Sequence, residues 1–443
     1  MATASLRLAK APRERLAAAG RCTGVQLAAT PGSVRAPSVV AQHADALVLM
    51  LLGLPTAAVD WQIAITWALP AWIPAVAACL VGALIVATLA RPQTKAFATA
   101  AVVALLYALP VVGGILRWHL VVSPRALIGD GAYQTQLAGA FVLNGTDPYG
   151  ADYGRAGLAA APWAESFPSP ALHHLVTWPG QFLFPLPLQA VSRLIVGWWD
   201  ERVFLLLAAV AVWLLLGALF PGTPGRLAAV ALFLVPGHSL LAVLGDNDLP
   251  VVALLLAALL AAQYRRFLLM GLLLGCAIAT KQHALLAVPL IVVWGGVRGA
   301  DARTIVRAGA AGTAVVAAFI VPFLLWDAAA FFRDTVVFLV GGGSDSYPIN
   351  GFGLSAMLLS SGVIHRARDA FPFALLEIAA AGAAWAVGWR WLRRGVPVSD
   401  VLILLGLVFT TVLFVSRYFH DTHLLLGVEL TLAGLASRGW RPA

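Results

Sequence analysis

Apolar and polar residues follow one another along this chain in long blocks. Apolar runs close to the roughly 20 residues that cross a bilayer as a helix recur from Asp45 onward. The predicted fold class is therefore an all-α polytopic membrane helix bundle of about twelve transmembrane helices. The predicted spans are Asp45–Val59, Ile63–Leu89, Phe97–Leu120, Val203–Phe220, Leu227–Leu244, Leu249–Gln263, Phe267–Thr280, Leu285–Val297, Ile305–Trp326, Phe371–Gly388, Val401–Phe414 and Leu424–Leu435.

Composition agrees with this pattern and orients it. The chain is 61% hydrophobic and 11% charged. Its formal net charge is +9, and its basic residues lie in short breaks between apolar runs. This pattern indicates membrane topology rather than nucleic-acid binding. We expect 1–43 to be a disordered basic cytoplasmic tail, 44–96 two additional spans, and 97–443 the main membrane domain. Both termini are then cytoplasmic, as are the basic breaks, which contain Arg91, Lys95, Arg226, Arg265, Arg266, Arg298, Arg303, Arg307, Arg390, Arg393, Arg394, Arg438 and Arg441.

Two large loops, 119–202 and 327–370, fall outside in this topology. One segment of the first, Ala171–Leu188, is apolar enough to be a span, but it contains His173, His174 and three prolines. A true span here would invert every later loop and place the arginine pairs outside. We therefore interpret the segment as juxtamembrane or re-entrant. Three cysteines, none in a long polar loop, do not indicate a disulfide framework.

The first outer loop contains the most informative polar pattern. Asp130 precedes Tyr133–Leu143, whose apolar spacing predicts a short amphipathic helix on the membrane surface, and 144–149 (Asn-Gly-Thr-Asp-Pro-Tyr) predicts a turn. Asp130 would stand at the water–lipid boundary above a platform for a lipid-linked substrate. The alternative is that Asp130 only caps the helix.

These motifs, in this order, resemble the C-type integral-membrane glycosyltransferases. The similarity is to glycosyltransferase family 87, the bacterial branch with polyprenyl-phosphate-mannose-dependent mannosyltransferases, and runs from about Phe97 to the C-terminus. Further matching stretches are Gly245-Asp246-Asn247-Asp248, the glycines before Lys281, 351–355 (Gly-Phe-Gly-Leu-Ser) and 417–420 (Arg-Tyr-Phe-His). Asp246 and Asn247 depart from the Gly-Gln-x-Asp pattern that this branch often has.

The resemblance implies that Asp130 is the catalytic base. A departing lipid phosphate is a stable anion and needs no acid, so one carboxylate suffices. The phosphate needs cations instead, for which we single out Lys281, Arg417 and His420. The expected sugar or acceptor ligands are Tyr133, Gln134, Asp147, Tyr149, Asp246, Asn247, Asp248, His283 and His423.

Each of these assignments has a plain alternative. Lys281 lies deep in an apolar region, which favours function, but it could instead extend to the interface. The cluster of Arg417, His420, Asp421 and His423 could be a satisfied loop. The glycine-rich segment 341–348 is either a mobile lid or a connecting loop. We expect no cofactor, because the acidic spacings match no dedicated metal loop, although Asp246 and Asp248 could bind a divalent cation in principle.

The sequence therefore predicts an inverting glycosyltransferase of the cell membrane. It would move a hexose, with mannose expected, from a polyprenyl-phosphate-linked sugar donor to a glycolipid or glycan acceptor on the extracytoplasmic face. The alternatives are an arabinosyl or other sugar transferase with the same donor class, and a lipid flippase or transporter.

Overall fold

The fold was determined as a computed structural model that describes residues 43–90, 92–121, 128–161, 163 and 167–438. Nearly all of the predicted basic tail, together with Arg91 and Arg441, lies outside the described residues. The helices are α1 (Ala44–Thr66), α2 (Trp72–Ala90), α3 (Lys95–Val121), α4 (Asp130–Leu143), α5 (Gly180–Leu183), α6 (Leu186–Val196), α7 (Glu201–Leu219), α8 (Thr223–Phe233), α9 (His238–Leu244), α10 (Leu249–Gln263), α11 (Phe267–Thr280), α12 (Gln282–Val297), α13 (Ala302–Val340), α14 (Leu354–Ser360), α15 (Phe373–Leu392), α16 (Val398–Phe414) and α17 (Asp421–Arg438).

The described part of the chain is mostly helical and has a single pair of two-residue strands, which confirms the all-α class. Five helices, α1, α2, α3, α7 and α13, are long and apolar enough to cross a membrane. The pair α8 and α9, bent by 65°, would make a sixth. Four further apolar helices, α10, α11, α12 and α16, are 10–17 residues long. Each predicted span overlaps a helix, but a total of twelve crossings stays a prediction.

Ion pairs mark one end of the bundle. Arg226 at the start of α8 contacts Asp45 at the start of α1, with Nε 3.0 Å from Oδ1. Arg438 at the end of α17 contacts Asp400 near the start of α16 at 3.3 Å. We call this the basic end. The opposite end, reached by the last residues of α9 and α11, is the site end.

Close backbone contacts between α11 and α13 depend on glycine. A Cβ at Gly271 would lie 2.1 Å from the Ala308 carbonyl oxygen, and one at Gly275 would lie 2.4 Å from that of Gly312. Small residues spaced four apart let membrane helices approach in this way. The glycines before Lys281, which resemble a family motif, therefore serve helix packing.

One predicted boundary is wrong. The second span does not begin at Ile63, because α1 continues to Thr66 and the chain then turns at Ala68 (φ +53) and Pro70 before α2. The second outer loop is predicted to begin at Asp327, where α13 is kinked, and the chain stays helical from there to Val340. The reason is that the Asp327 carboxylate accepts the Ala330 N–H and so restarts the helix after its kink.

The first outer loop also differs from its predicted form. Helix α4 exists, but it is not an amphipathic surface helix, because eight of its fourteen residues are buried, including Gln134, Thr135 and Gln136. It packs against α5, α6 and α7 inside the loop. The segment 171–188 contains no continuous helix, since prolines separate α5 from α6. This agrees with its interpretation as re-entrant or juxtamembrane rather than as a span.

We predict that Gly275→Ala destabilises the protein while Gly309→Ala does not. The first places a methyl group against the backbone at Gly312, and such overpacking costs about 1–3 kcal/mol. A Cβ at Gly309, also within α13, meets no atom within 4 Å, and replacing an unconstrained helical glycine gains roughly 0.5–1 kcal/mol. Thermal unfolding of the purified variants in detergent measures both. Equal melting temperatures would contradict the close contact.

Candidate active site

Asp130 is the first residue of α4 and is half-buried. Its Oδ1 accepts the Gly131 N–H at 2.8 Å, and its Oδ2 accepts the Ser169 hydroxyl at 2.7 Å. No ion pair among the described residues involves this carboxylate. Asp130 is not the N-cap, which is Gly129, so simple capping does not describe its position.

Backbone contacts join Asp130 to the turn at residues 245–248. The Gly129 N–H donates to the Leu244 carbonyl oxygen at 2.7 Å. Gly245 has φ +91, and a Cβ there would lie 2.5 Å from the Ala132 Cβ, so only glycine fits this position without strain. Leu244 and Asp248 are four residues apart, which limits their Cα separation to about 14 Å. Asp130 and the turn therefore belong to one site.

Lys281 contacts Asp248, the last residue of the same turn. Its Nζ lies 2.7 Å from Asp248 Oδ1, and His283 Nε2 lies 3.3 Å from that oxygen. All three side chains are largely buried, at 14%, 5% and 13% exposure for Lys281, Asp248 and His283. His423, at the start of α17, lies within electrostatic range of all three. Lys281 thus has a fixed partner and does not simply extend to the interface.

The two aspartates of the turn have opposite electrostatic environments. Burial opposes ionisation of Asp248, but the Lys281 ammonium and His283 hold the pKa of Asp248 well below its usual range. Burial raises the pKa of Asp246 to about 7, and the negative charge of Asp248 raises it as well. Near neutral pH the turn therefore carries one fixed carboxylate and one that exchanges a proton. Asn247 lies between them.

A buried pair behind this turn was missed by sequence reasoning. His238 Nδ1 lies 2.7 Å from Glu429 Oε1, and both side chains are almost fully buried. Both act electrostatically on Asp246. Glu429 is an ionisable residue inside the predicted span Leu424–Leu435, and that position alone indicates function. This signal would have found it.

Arg417 does not face this cluster. Its guanidinium donates to three backbone carbonyls, those of Tyr347, Ala367 and Asp369, at 2.7–2.9 Å. The side chain is buried and holds together the start and end of the second outer loop. His420 Nε2 lies 3.3 Å from the Tyr347 hydroxyl in the same region. Phosphate binding by Arg417 thus gains no support from its contacts. His420 does adjoin the cluster, because its ring centre lies 6.0 Å from that of His423, and its role stays a prediction.

Glycines let the two later motifs meet. The strand β1 (Asn350–Gly351) pairs in parallel with β2 (Tyr418–Phe419). Gly351 has φ +91, and a Cβ there would clash with the Phe419 carbonyl oxygen. The Gly-Phe-Gly-Leu-Ser and Arg-Tyr-Phe-His motifs are therefore two halves of one structural contact.

Four predicted sugar or acceptor ligands make structural contacts. Tyr133 is buried edge-to-face on Trp118, and the Gln134 amide donates to the carbonyls of Ala171 and His174. Asp147 Oδ1 accepts the Tyr149 N–H at 2.9 Å, while the buried Tyr149 ring packs among Phe182, Phe323 and Phe331. Their polar groups shape the first outer loop, and we do not place them in the site.

A second ionic network, which sequence reasoning also missed, lies beside α4. Arg202, fully buried, donates to both oxygens of Asp200 and to the Val243 carbonyl. His119 Nε2 lies 3.1 Å from Asp200 Oδ2, and the Arg202 guanidinium lies 5.4 Å from the Trp118 ring centre. Because Trp118 contacts Tyr133 in the first turn of α4, the network holds in place the end of the helix that begins with Asp130.

An apolar groove runs along the bundle from the basic end towards Lys281. Its cavity volume is 330 Å³, and it lies between α11, α12 and α13. Trp178, Ile278 and Leu285 line it near Lys281, whereas Met270 and Ile305 line it near the basic end. Apart from Thr313, its lining residues are apolar or glycine.

Among the described residues, no group of three or more His, Cys, Asp and Glu side chains is arranged to hold a metal ion. That the protein needs no metal stays a prediction.

Long apolar helices, with ionisable side chains clustered at one end of the bundle, indicate a membrane protein. The sequence profile of glycosyltransferase family 87 matches residues 179–416, more than half of the chain, and the chain belongs to this family. This confirms the predicted membership and identifies a glycosyltransferase. No curated protein and no solved structure matches the chain. Asp248 and Lys281 lie within the matched residues, whereas Asp130 and Arg417 lie outside them.

We predict that Asp248→Asn destabilises the protein by about 3 kcal/mol, because it leaves the buried Lys281 without its counter-charge. The double variant D248N/K281M should recover most of this loss, since it removes both charges. Denaturant unfolding in detergent compares the three proteins. Asp152→Asn is the matched control, because it removes an exposed ion pair with Arg155, and such pairs contribute less than about 1 kcal/mol. A fully stable D248N would contradict the pair.

We also predict that Asp246→Asn gains stability relative to the natural protein as pH rises. An unfolded aspartate has a pKa near 4, whereas Asp246 in the fold has a pKa of about 7. Between these values the folded state retains a proton that the unfolded state has lost, so the natural protein loses stability with rising pH. Asparagine lacks this penalty. Melting temperatures at pH 5 and pH 8 test this; a difference between variant and natural protein that is independent of pH would refute it.

Proposed function

We propose that this glycosyltransferase moves one hexose, with mannose expected, from a polyprenyl-phosphate carrier to a glycolipid or glycan acceptor on the extracytoplasmic face. The observation that carries the proposal is the half-buried Asp130 carboxylate, which has no cationic partner among the described residues and adjoins the turn that holds Lys281. A base and a cation thus flank one short turn.

Asp130 would act as the general base. It takes the proton from the acceptor hydroxyl while that oxygen attacks the anomeric carbon, and the bond from that carbon to the lipid phosphate breaks. The Ser169 hydroxyl and the Gly131 N–H, which both donate to Asp130, orient the carboxylate. Direct displacement inverts the anomeric centre, so a β-linked donor gives an α-linked product.

Lys281 would stabilise the departing phosphate. An ammonium group has three N–H donors, of which one reaches Asp248, so the others can meet phosphate oxygens. His283 and His423, which lie in the same cluster, supply further donors. The Asp248 carboxylate, 2.7 Å from Nζ, supplies the counter-charge that Lys281 needs in a buried place.

The apolar groove supports a lipid-linked donor. A phosphate at Lys281 would place its isoprenoid chain beside Trp178 and Leu285, from where the groove continues along α11, α12 and α13. Isoprenoid carriers are apolar along their whole length, and burying them there is favourable. A nucleotide-sugar donor would need polar contacts that this lining does not offer.

The distribution of charge favours transfer over transport. Asp130, Asp246, Asp248 and Lys281 gather at the site end, whereas a transport path carries its polar groups across the bundle. The same geometry fits an arabinosyl or other pentosyl donor equally well. The experiment below therefore determines which sugar is transferred.

We predict that Asp130→Asn lowers the transfer rate by about 10²–10⁴-fold with little change in donor KM, because the base acts on the acceptor rather than on the donor. The purified protein in liposomes is offered radiolabelled polyprenyl-phosphate mannose, arabinose and glucose with lipid acceptors. Chromatography of the labelled products measures transfer.

Asp152→Asn is the matched control, since it makes the same charge change in the same loop at an exposed ion pair. It should keep full activity. If D130N transfers sugar as fast as the natural protein, the base assignment is wrong. If the natural protein transfers none of the sugars, the donor class is wrong.

A further inference from the structure

The basic end carries a pocket that the proposed reaction does not use. It has a volume of 570 Å³ and lies where the break between α10 and α11 meets the first turn of α13. We call it the arginine pocket. Its lining residues are Arg265, Arg266, Phe267, Leu268, Leu269, Leu272 and Thr304. Helix α11 has fourteen residues, so the pocket lies about 20 Å from Lys281 at the other end of that helix.

Contacts hold together the two loops that form this region, one between α10 and α11 and one between α12 and α13. Arg265 has φ +57, a conformation that non-glycine residues rarely adopt, and its guanidinium packs on Gly299. In the opposite direction, Arg298 Nη2 donates to the Gln263 carbonyl oxygen at 3.1 Å. These contacts bring arginines from both breaks to one surface and fix where the Arg265 side chain lies.

The charge of this surface is strongly one-sided. Between residues 263 and 307 the chain has five arginines (265, 266, 298, 303 and 307) and a single acidic residue, Asp301. Asp301 accepts the Thr304 N–H as the cap of α13 and forms no ion pair among the described residues. Arg265 and Arg266 are both exposed and have no carboxylate partner in that part of the chain. An anion would neutralise them.

The apolar lining indicates which anion fits. Leu268 and Leu269, next to the arginines, are 57% and 43% exposed, and Leu272 follows one turn later on α11. A soluble phosphate would contact the arginines alone and make no use of these leucines. A phospholipid places its phosphate on the guanidinium groups and its acyl chains on the leucines.

We propose that the arginine pocket binds the phosphate group of an anionic phospholipid, with Arg265 and Arg266 as its ligands. Any basic loop is attracted to an anionic membrane without a pocket. The proposal is therefore that Arg265 and Arg266 retain the lipid more tightly than other arginine pairs at the same end of the bundle. The inference is independent of the sugar donor.

Arg393 and Arg394 provide the matched control. They are an exposed arginine pair after α15, and the neighbouring Val396 carbonyl accepts the Trp294 indole N–H, which places them at the same end of the bundle. They line no part of the arginine pocket.

The test is native mass spectrometry of the full chain, released from bilayers of phosphatidylglycerol and phosphatidylcholine in equal amounts. The natural protein should retain one phosphatidylglycerol. R265Q/R266Q should weaken its binding about 10- to 30-fold, since both guanidinium contacts to the lipid phosphate are lost. R393Q/R394Q should retain it, as should R265K/R266K, which keeps both charges and separates loss of the ligand from loss of the fold.

Three results would overturn the proposal. Equal loss of lipid from both glutamine pairs would show general charge attraction. Equal retention of phosphatidylcholine would show a site without charge selection. Displacement of the lipid by inorganic phosphate would show an anion site that does not recognise the acyl chains.

Discussion

A charge inside an apolar bundle must have a partner, and this constraint organises the protein. An unpaired charge in a medium of low polarity costs several kcal/mol, so buried ionic groups occur in pairs or networks. Lys281 meets Asp248, Arg202 meets Asp200, and Glu429 meets a histidine of α9. Each pair joins segments distant in sequence or fixes a turn, so charge pairing positions the backbone as well as neutralising it.

Asp130, the proposed base, differs from these paired groups. Among the described residues its carboxylate accepts hydrogen bonds from neutral donors, a hydroxyl and a backbone N–H, and it is half-buried. In the proposed mechanism this carboxylate takes the proton of the acceptor hydroxyl. The close approach of Gly129 to Leu244 and of Ala132 to Gly245 places it beside the charged turn. Membership of glycosyltransferase family 87 gives this arrangement its reaction class.

The sequence predicts the parts of the fold that depend on local pattern. Apolar run length identifies the helices, and the position of Asp130 before an apolar segment identifies the start of α4. Patterns cannot show which of several donors or acceptors a side chain meets. Arg417 illustrates this, because its partners are carbonyls 48 to 70 residues away. The burial of Gln134 and Tyr149 was equally invisible, since it depends on how the outer loops fold over one another.

The central claim is that Asp130 works on the side of the membrane opposite the basic end. Gly131 is exposed, and a side chain there meets no atom within 4 Å, so a cysteine at this position reports access without disturbing the fold. The measurement is labelling of G131C and R393C by a membrane-impermeant maleimide, with Cys22, Cys79 and Cys276 replaced by serine. The account predicts that G131C is labelled in intact cells and R393C only after permeabilisation. Labelling of G131C only in permeabilised cells would contradict it.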